Sequence, residues 1–159
     1  MSDILKPLPE KLRPKSIENI LGQKKVLSND GFLSRIIKKN ILSSFILWGP
    51  PGCGKTTIAK AISNKLKIET FEISAVLSGV KDLRIIFERG EKNFLIGKQT
   101  ILFVDEIHRF NKGQQDSFLP YLEKGIISLI GATTENPSFS IISALLSVSY
   151  THLRAHETQ

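Results

Sequence analysis

The sequence offers little besides a packed core to hold the chain together. Among its 159 residues there is one cysteine, Cys53, so no disulfide bond can form within the chain. The longest apolar runs, 101–104 and 126–131, are far shorter than the ~20 residues that a membrane-spanning helix needs. The first residues show no apolar run behind a basic segment. These absences exclude a disulfide scaffold, and they predict a cytoplasmic protein with no membrane partner.

The composition is that of an ordinary folded domain. Hydrophobic residues make up 41% and charged residues 23% of the chain, which excludes a disordered or fibrous protein. The net charge of +7 comes from Lys and Arg concentrated in the first two thirds. This excess is compatible with a nucleotide, a nucleic acid or an acidic partner. A solvated, lysine-rich helix surface is the more common explanation of such an excess.

Strands and helices alternate along the sequence. Short apolar runs predict buried strands, whereas apolar residues at helical spacing predict helices between them. Pro120 is expected to kink or end the last helix. The alternation predicts a parallel, doubly wound α/β sheet in three αβα layers. The predicted strands are 44–48, 70–73, 100–104 and 126–132, and the predicted helices are 23–40, 58–66, 82–93 and 114–123.

A phosphate-binding loop lies between the first predicted strand and the helix after it. Residues 49–56 read GPPGCGKT, a glycine, four residues, then Gly-Lys-Thr. In such a loop Lys55 reaches the terminal phosphates and Thr56 coordinates Mg²⁺, while Cys53 is interpreted as a small filler. A tight glycine turn with an exposed lysine is the alternative. The expected nucleotide-binding residues are Gly49, Pro50, Pro51, Gly52, Cys53, Gly54, Lys55, Thr56 and Thr57.

Two adjacent acids follow the third predicted strand. Asp105 is expected at its carboxyl end, where open α/β sheets bind ligands, and Glu106 comes next. Asp105 would hold Mg²⁺ through water, and Glu106 would orient and polarise the attacking water. The alternative is a plain helix start, since carboxylates suit a helix amino terminus.

Together these motifs resemble those of the AAA+ ATPases. Longer stretches are similar to the replication-associated recombination protein A family and its relative, the Werner helicase-interacting protein. The most specific stretch is DEIHRFNKGQQDSFLPYLE at 105–123, supported by IGATTENPSF at 130–139. RPKSIENILGQ at 13–23 looks like an amino-terminal box beside adenine, and 74–84 also fits the family.

The resemblance implies roles for individual residues. Lys55, Asp105 and Glu106 match the family's catalytic positions, with Thr56 and Asp105 as ligands of Mg²⁺. Thr134 resembles the sensor that positions the γ-phosphate or water, with Thr133 as the competing assignment. A strand-end threonine that caps its own turn is the non-catalytic alternative for Thr134.

Three further residues receive roles from the resemblance alone. His108 and Arg109 are expected at an interface between molecules, rather than as contacts to a metal or to DNA. Ser74 is expected to restrain the carboxylate of Glu106.

The function implied is that of an ATP-hydrolysing AAA+ protein with ATP and Mg²⁺ as cofactors. It would act on DNA in replication-fork maintenance, recombination and repair, as a homo-oligomeric ring that meets replication proteins. A clamp-loader-like or Holliday-junction-type ATPase and a non-catalytic nucleotide-binding module stay open as alternatives.

The resemblance stops near residue 147. It implies an arm and adenine-side box at 1–22, a partial AAA+ core at 23–147 and a non-native tail at 148–159 that looks like a translated sequencing adapter. The fifth strand and the helical lid are expected to be missing. Val148 stands where the family has an arginine that acts on a neighbouring subunit. We therefore expect this chain to bind nucleotide without efficient hydrolysis.

Overall fold

The computed structural model describes residues 43–52 and 54–154, with the backbone alone for 150–154. The predicted arm at 1–22, the helix at 23–40 and Cys53 lie outside the described residues. The strands are β1 Phe45–Trp48, β2 Glu69–Ser74, β3 Thr100–Asp105, β4 Ser128–Thr133 and β5 Tyr150–Arg154. The helices are α1 Lys55–Leu66, α2 Val80–Leu95, α3 Lys112–Asp116, α4 Leu119–Glu123, α5 Pro137–Ser140 and α6 Ser143–Ser147, with a 3₁₀ turn at Ile107–Arg109.

The described strands form one parallel sheet in the order β2-β3-β4-β1-β5. Alternate side chains of each strand enter cores on opposite faces. Phe45 and Phe103 pack against α1 on one face, whereas Ile46 and Val104 belong to the core that α2 covers on the other. This arrangement confirms the predicted three-layer αβα sheet.

The predicted absence of a fifth strand is corrected by the structure. The backbone of β5 pairs in parallel with β1, and the register shifts between Phe45 and Leu47. Without β5, β1 would be an edge strand with unpaired backbone groups. Strand pairing is made by backbone hydrogen bonds and depends only weakly on the side chains. The segment predicted to be a foreign tail can therefore occupy this position. Its foreign origin stays a prediction.

The segment 112–123 confirms the predicted effect of Pro120. Instead of one helix it forms α3 and α4, with the proline in the first turn of α4, where its missing N–H costs nothing. The side chain of Phe87 on α2 then stacks on Tyr121 at 4.1 Å between ring centroids.

Gly131 lets β4 pass close to its neighbours. A Cβ at this position would lie 2.7 Å from Cδ1 of Ile46 and 3.0 Å from Cδ1 of Ile107. The close approach matters for the site, because Ile107 lies directly between Glu106 and His108. Within 43–52 and 54–154, no helix has the length and apolarity to cross a bilayer.

Candidate functional site

The loop after β1 has the backbone shape that the phosphate-loop motif predicts. Gly52 and Gly54 have φ angles of +77° and +98°, a region that residues with a Cβ rarely enter. The loop is tied to the sheet where Gly49 N donates to Thr133 O at 3.1 Å. It leads directly into α1, whose amino-terminal N–H groups favour an anion.

Lys55 is buried inside this loop. Its residue is 7% exposed, and its Nζ donates to Gly49 O at 2.6 Å and to Pro50 O at 2.8 Å. These carbonyls offset the cost of burying an ammonium group. The alternative of a glycine turn with an exposed lysine therefore does not describe this loop.

The acid pair begins where β3 ends. Glu106 has φ 56° and ψ 43°, left-handed values that cost a non-glycine residue on the order of 1–2 kcal/mol. Hydrogen bonds hold the backbone on both sides: Ala75 N donates to Asp105 O, and Arg109 N donates to Glu106 O, each at 2.9 Å. Glu106 makes no side-chain capping bond to the turn that follows it. Glu106 thus does precede a helical turn, as the alternative holds, but it does not cap that turn, and both acids line a cavity.

The phosphate loop, the acid pair and the end of β4 surround one cavity of about 370 Å³. The cavity brings together residues from three separate segments, each at the carboxyl end of a strand. Gly49 and Pro50 contribute through the carbonyl groups that bind Lys55. The lining residues are Pro51, Gly52, Gly54, Lys55, Thr56, Thr57, Asp105, Glu106 and Thr134.

The two threonines at the end of β4 have different surroundings. Thr134 lines the cavity, which is where its predicted sensor role requires it. Thr133 is fully buried, and its Oγ1 lies 2.8 Å from His108 Nδ1 and accepts from Glu135 N at 3.0 Å. The turn-capping threonine is thus Thr133, not Thr134.

His108 corrects two expectations. Its imidazole is 3% exposed, so the predicted interface role is wrong for this side chain, although Arg109 is exposed. Ser74 Oγ accepts from Val76 N at 3.3 Å, whereas the side chain beside Glu106 is His108, with Nε2 3.3 Å from Oε2. Residues two apart share a face in a strand but not in a helix. Glu106 and His108 lie beyond the end of β3, where the left-handed backbone at Glu106 turns the chain.

Thr56 and Asp105 are the residues that could hold a magnesium ion. Within the described residues, no group of three or more His, Cys, Asp and Glu side chains could bind a metal. A site with few protein ligands suits Mg²⁺, which keeps several waters and binds substrate phosphates. The hydroxyl and carboxylate oxygens are donors that this hard cation prefers.

The fold and the site define the nucleotide-binding core of a P-loop ATPase. The chain belongs to the ATPase family associated with various cellular activities (AAA), which it matches over residues 45–155. Its similarity to replication-associated recombination protein A confirms the resemblance seen in the sequence.

The similar proteins include two bacterial proteins named replication-associated recombination protein A and one ATPase from Dictyostelium discoideum. The protein from Coxiella burnetii is 56% identical over 141 residues, covering 89% of this chain and 32% of the relative. The protein from Escherichia coli is 51% identical over 147 residues, covering 92% and 33%. ATPase WRNIP1 of Dictyostelium discoideum is 50% identical over 141 residues, covering 89% and 16%. The chain thus spans about a third of the length of the bacterial relatives.

A solved structure supports the fold. The RuvB Holliday junction branch migration motor of Thermotoga maritima matches with a TM-score of 0.68 and 30% identity, over 87% of this chain and 48% of that chain. The match therefore extends over most of this chain and about half of the solved one.

Proposed function

We propose that this chain is the nucleotide-binding part of a AAA protein that hydrolyses ATP and acts on DNA in replication-fork maintenance, recombination and repair, and that the chain by itself binds ATP and hydrolyses it only slowly. The observation that carries the proposal is that Lys55, Asp105 and Glu106 face one cavity of about 370 Å³. A buried cation, a metal-binding acid and a second acid in one cavity match the needs of phosphoryl transfer.

We assign phosphate binding to the loop and to Lys55. The Lys55 ammonium donates to two carbonyl oxygens of the loop, and phosphate oxygens, which carry a negative charge, would be stronger acceptors for it. Thr56 and Asp105 would hold Mg²⁺, which neutralises phosphate charge when bound. Gly52 and Gly54 have positive φ angles, a backbone shape that is typical of loops whose N–H groups surround an anion.

We assign activation of the water that hydrolyses ATP to Glu106. Its side chain is 30% exposed, so it can reach a water molecule in the cavity and accept its proton. Thr134, which also lines the cavity, would donate its hydroxyl to the γ-phosphate or to that water. No residue of this chain is needed as a covalent nucleophile.

The DNA role and the oligomeric ring rest on the relatives. Relatives at 50–56% identity are named for replication-associated recombination, and the solved neighbour is a Holliday junction motor. The net charge of +7 suits a polyanion. We accordingly propose DNA, further copies of the chain and replication proteins as partners, in the cytoplasm.

Glu106→Gln tests the catalytic assignment. We expect it to bind Mg²⁺-ATP as the wild type does and to lose hydrolysis in a single-turnover assay, with and without added DNA. The control is Glu123→Gln, an exposed acid at the end of α4, which should leave both properties unchanged. Hydrolysis that persists in Glu106→Gln, or a wild-type chain that does not bind Mg²⁺-ATP, would overturn the proposal.

A further inference from the structure

We propose that His108 is a positioning residue that holds the carboxylate of Glu106 and links it to the end of β4. His108 Nε2 lies 3.3 Å from Glu106 Oε2, and Nδ1 lies 2.8 Å from Thr133 Oγ1. The inference rests on the proposed function in one respect, since Glu106 takes its catalytic role from there. The contact between the two side chains does not depend on that role.

Counting hydrogens gives the direction of each bond. A neutral imidazole carries one N–H, and a carboxylate can only accept. Thr133 Oγ1 accepts from Glu135 N at 3.0 Å, and its own hydrogen has two acceptors in reach, Glu135 O at 3.2 Å and His108 Nδ1 at 2.8 Å. The contact to Nδ1 is the shorter one, so we assign the hydroxyl hydrogen to it. The ring hydrogen then lies on Nε2, where it meets Glu106. With this tautomer each nitrogen of the buried ring has a partner.

A second carboxylate lies near the same nitrogen. Glu135 Oε1 is 3.8 Å from His108 Nε2, and its side chain is 60% exposed. This distance is too long for a hydrogen bond, and an exposed carboxylate is better hydrated. Glu106, closer and half as exposed, is therefore the partner that the ring holds.

The contact between His108 and Thr133 links Glu106 to the end of β4. Thr133 is fully buried in β4, and the next residue, Thr134, lines the cavity. A ligand that moves the end of β4 therefore moves the partner of Nδ1, and the ring carries that displacement to Glu106. His108 thus links the position of the catalytic carboxylate to contact with a ligand at Thr134.

The bond itself is tested by NMR on the full chain with ¹⁵N-labelled histidine. The sequence holds three histidines, and the signal of His108 is the one that His108→Gln removes. We expect the Nε2–H tautomer, an Nε2 shift that changes in Glu106→Gln, and no change in Glu135→Gln. An Nδ1–H tautomer, or a response to Glu135→Gln alone, would overturn the inference.

The positioning role is tested with two amide variants of similar burial. In His108→Gln the side-chain NH₂ lies where Nε2 was, whereas in His108→Asn it lies where Nδ1 was. We expect both to bind Mg²⁺-ATP like the wild type. The single-turnover rate should fall on the order of tenfold or more in His108→Asn, while His108→Gln keeps most of it.

Equal losses in the two variants would show a merely structural histidine and would overturn the inference. A wild-type chain with no Glu106-dependent hydrolysis would instead refute the proposed function. In that case the tautomer and the Glu106→Gln response still decide whether His108 holds Glu106.

Discussion

Strands β2 and β3 carry polar clusters at both ends, and the two clusters differ in kind. At the amino ends, Glu69 and Thr100 bind side chains of α2: Asn93 Nδ2 donates to Thr100 Oγ1 at 2.8 Å, and Arg89 Nε donates to Glu69 Oε1 at 2.9 Å. At the carboxyl end of β3, Asp105 and Glu106 instead line a cavity of about 370 Å³. One cluster fastens a helix to the sheet, and the other leaves room for a ligand.

Backbone strain alone does not separate the two ends. Lys67 and Gly97, which precede β2 and β3, also have positive φ angles, as Glu106, Gly52 and Gly54 do. Glu106 and the two loop glycines differ in that they line the cavity, where strain is frequent in binding sites. We therefore expect substitutions at the cavity to change ligand binding and those at the amino ends to change stability.

The largest effect is expected from Lys55→Ala. It removes the buried ammonium group from the phosphate loop, so the affinity for Mg²⁺-ATP should fall about a hundredfold, or ~2.7 kcal/mol. Isothermal titration calorimetry measures this loss. Lys60→Ala is the matched control on α1, because Lys60 lies near Glu72 with its side chain 37% exposed. A loss within about threefold for Lys55→Ala would break the contrast between the two ends.

The sequence predicts much of this contrast and misses its most specific part. Glycine spacing and the apolar run before Asp105 place the loop and the acid pair at the carboxyl end of the sheet, because parallel strands share a direction. Pro120 likewise marks the break between α3 and α4. Such features follow from the local backbone preferences of glycine and proline, so they can be predicted from the sequence.

The contacts of His108 and the pairing of β5 could not be predicted in this way. His108 meets Thr133 only because Glu106 turns the chain and β4 lies beside β3. The partner of β5 depends on which strand edge its backbone meets. Both are consequences of tertiary packing between distant segments, which residue periodicity does not encode.

Asn93→Ala tests the same comparison at the amino ends of β2 and β3. Asn93 is 4% exposed, and its loss leaves buried Thr100 without its 2.8 Å donor. We expect the free energy of unfolding to fall by about 1–2 kcal/mol, with unchanged affinity for Mg²⁺-ATP. Urea denaturation and calorimetry measure the two quantities. Lys92→Ala, exposed and adjacent on α2, should change neither, and a loss of affinity in Asn93→Ala would contradict the division between the ends.

The smallest effect concerns acid stability at the amino end. The hydrogen bond from Arg89 is the main cause that lowers the pKa of Glu69 below its ordinary value of 4.5, with Asn93 also contributing. A carboxyl whose pKa is lower in the folded state stabilises the fold above its unfolded pKa. That contribution disappears as the pH falls through the folded pKa. We therefore expect the difference in unfolding free energy between wild type and Glu69→Gln to shrink from about pH 6 to about pH 3.

The comparison of two arginines on α2 identifies the cause. Arg89→Met removes the main donor to Glu69, so denaturation curves at a series of pH values should show the weaker acid dependence of Glu69→Gln. Arg84→Met changes an exposed arginine of the same helix, and its acid dependence should match the wild type. Because both substitutions remove one positive charge, a general charge effect would alter them equally. A difference between them therefore assigns the acid dependence to the pair of Arg89 and Glu69, an ordinary stabilising contact at the end of the sheet away from the cavity.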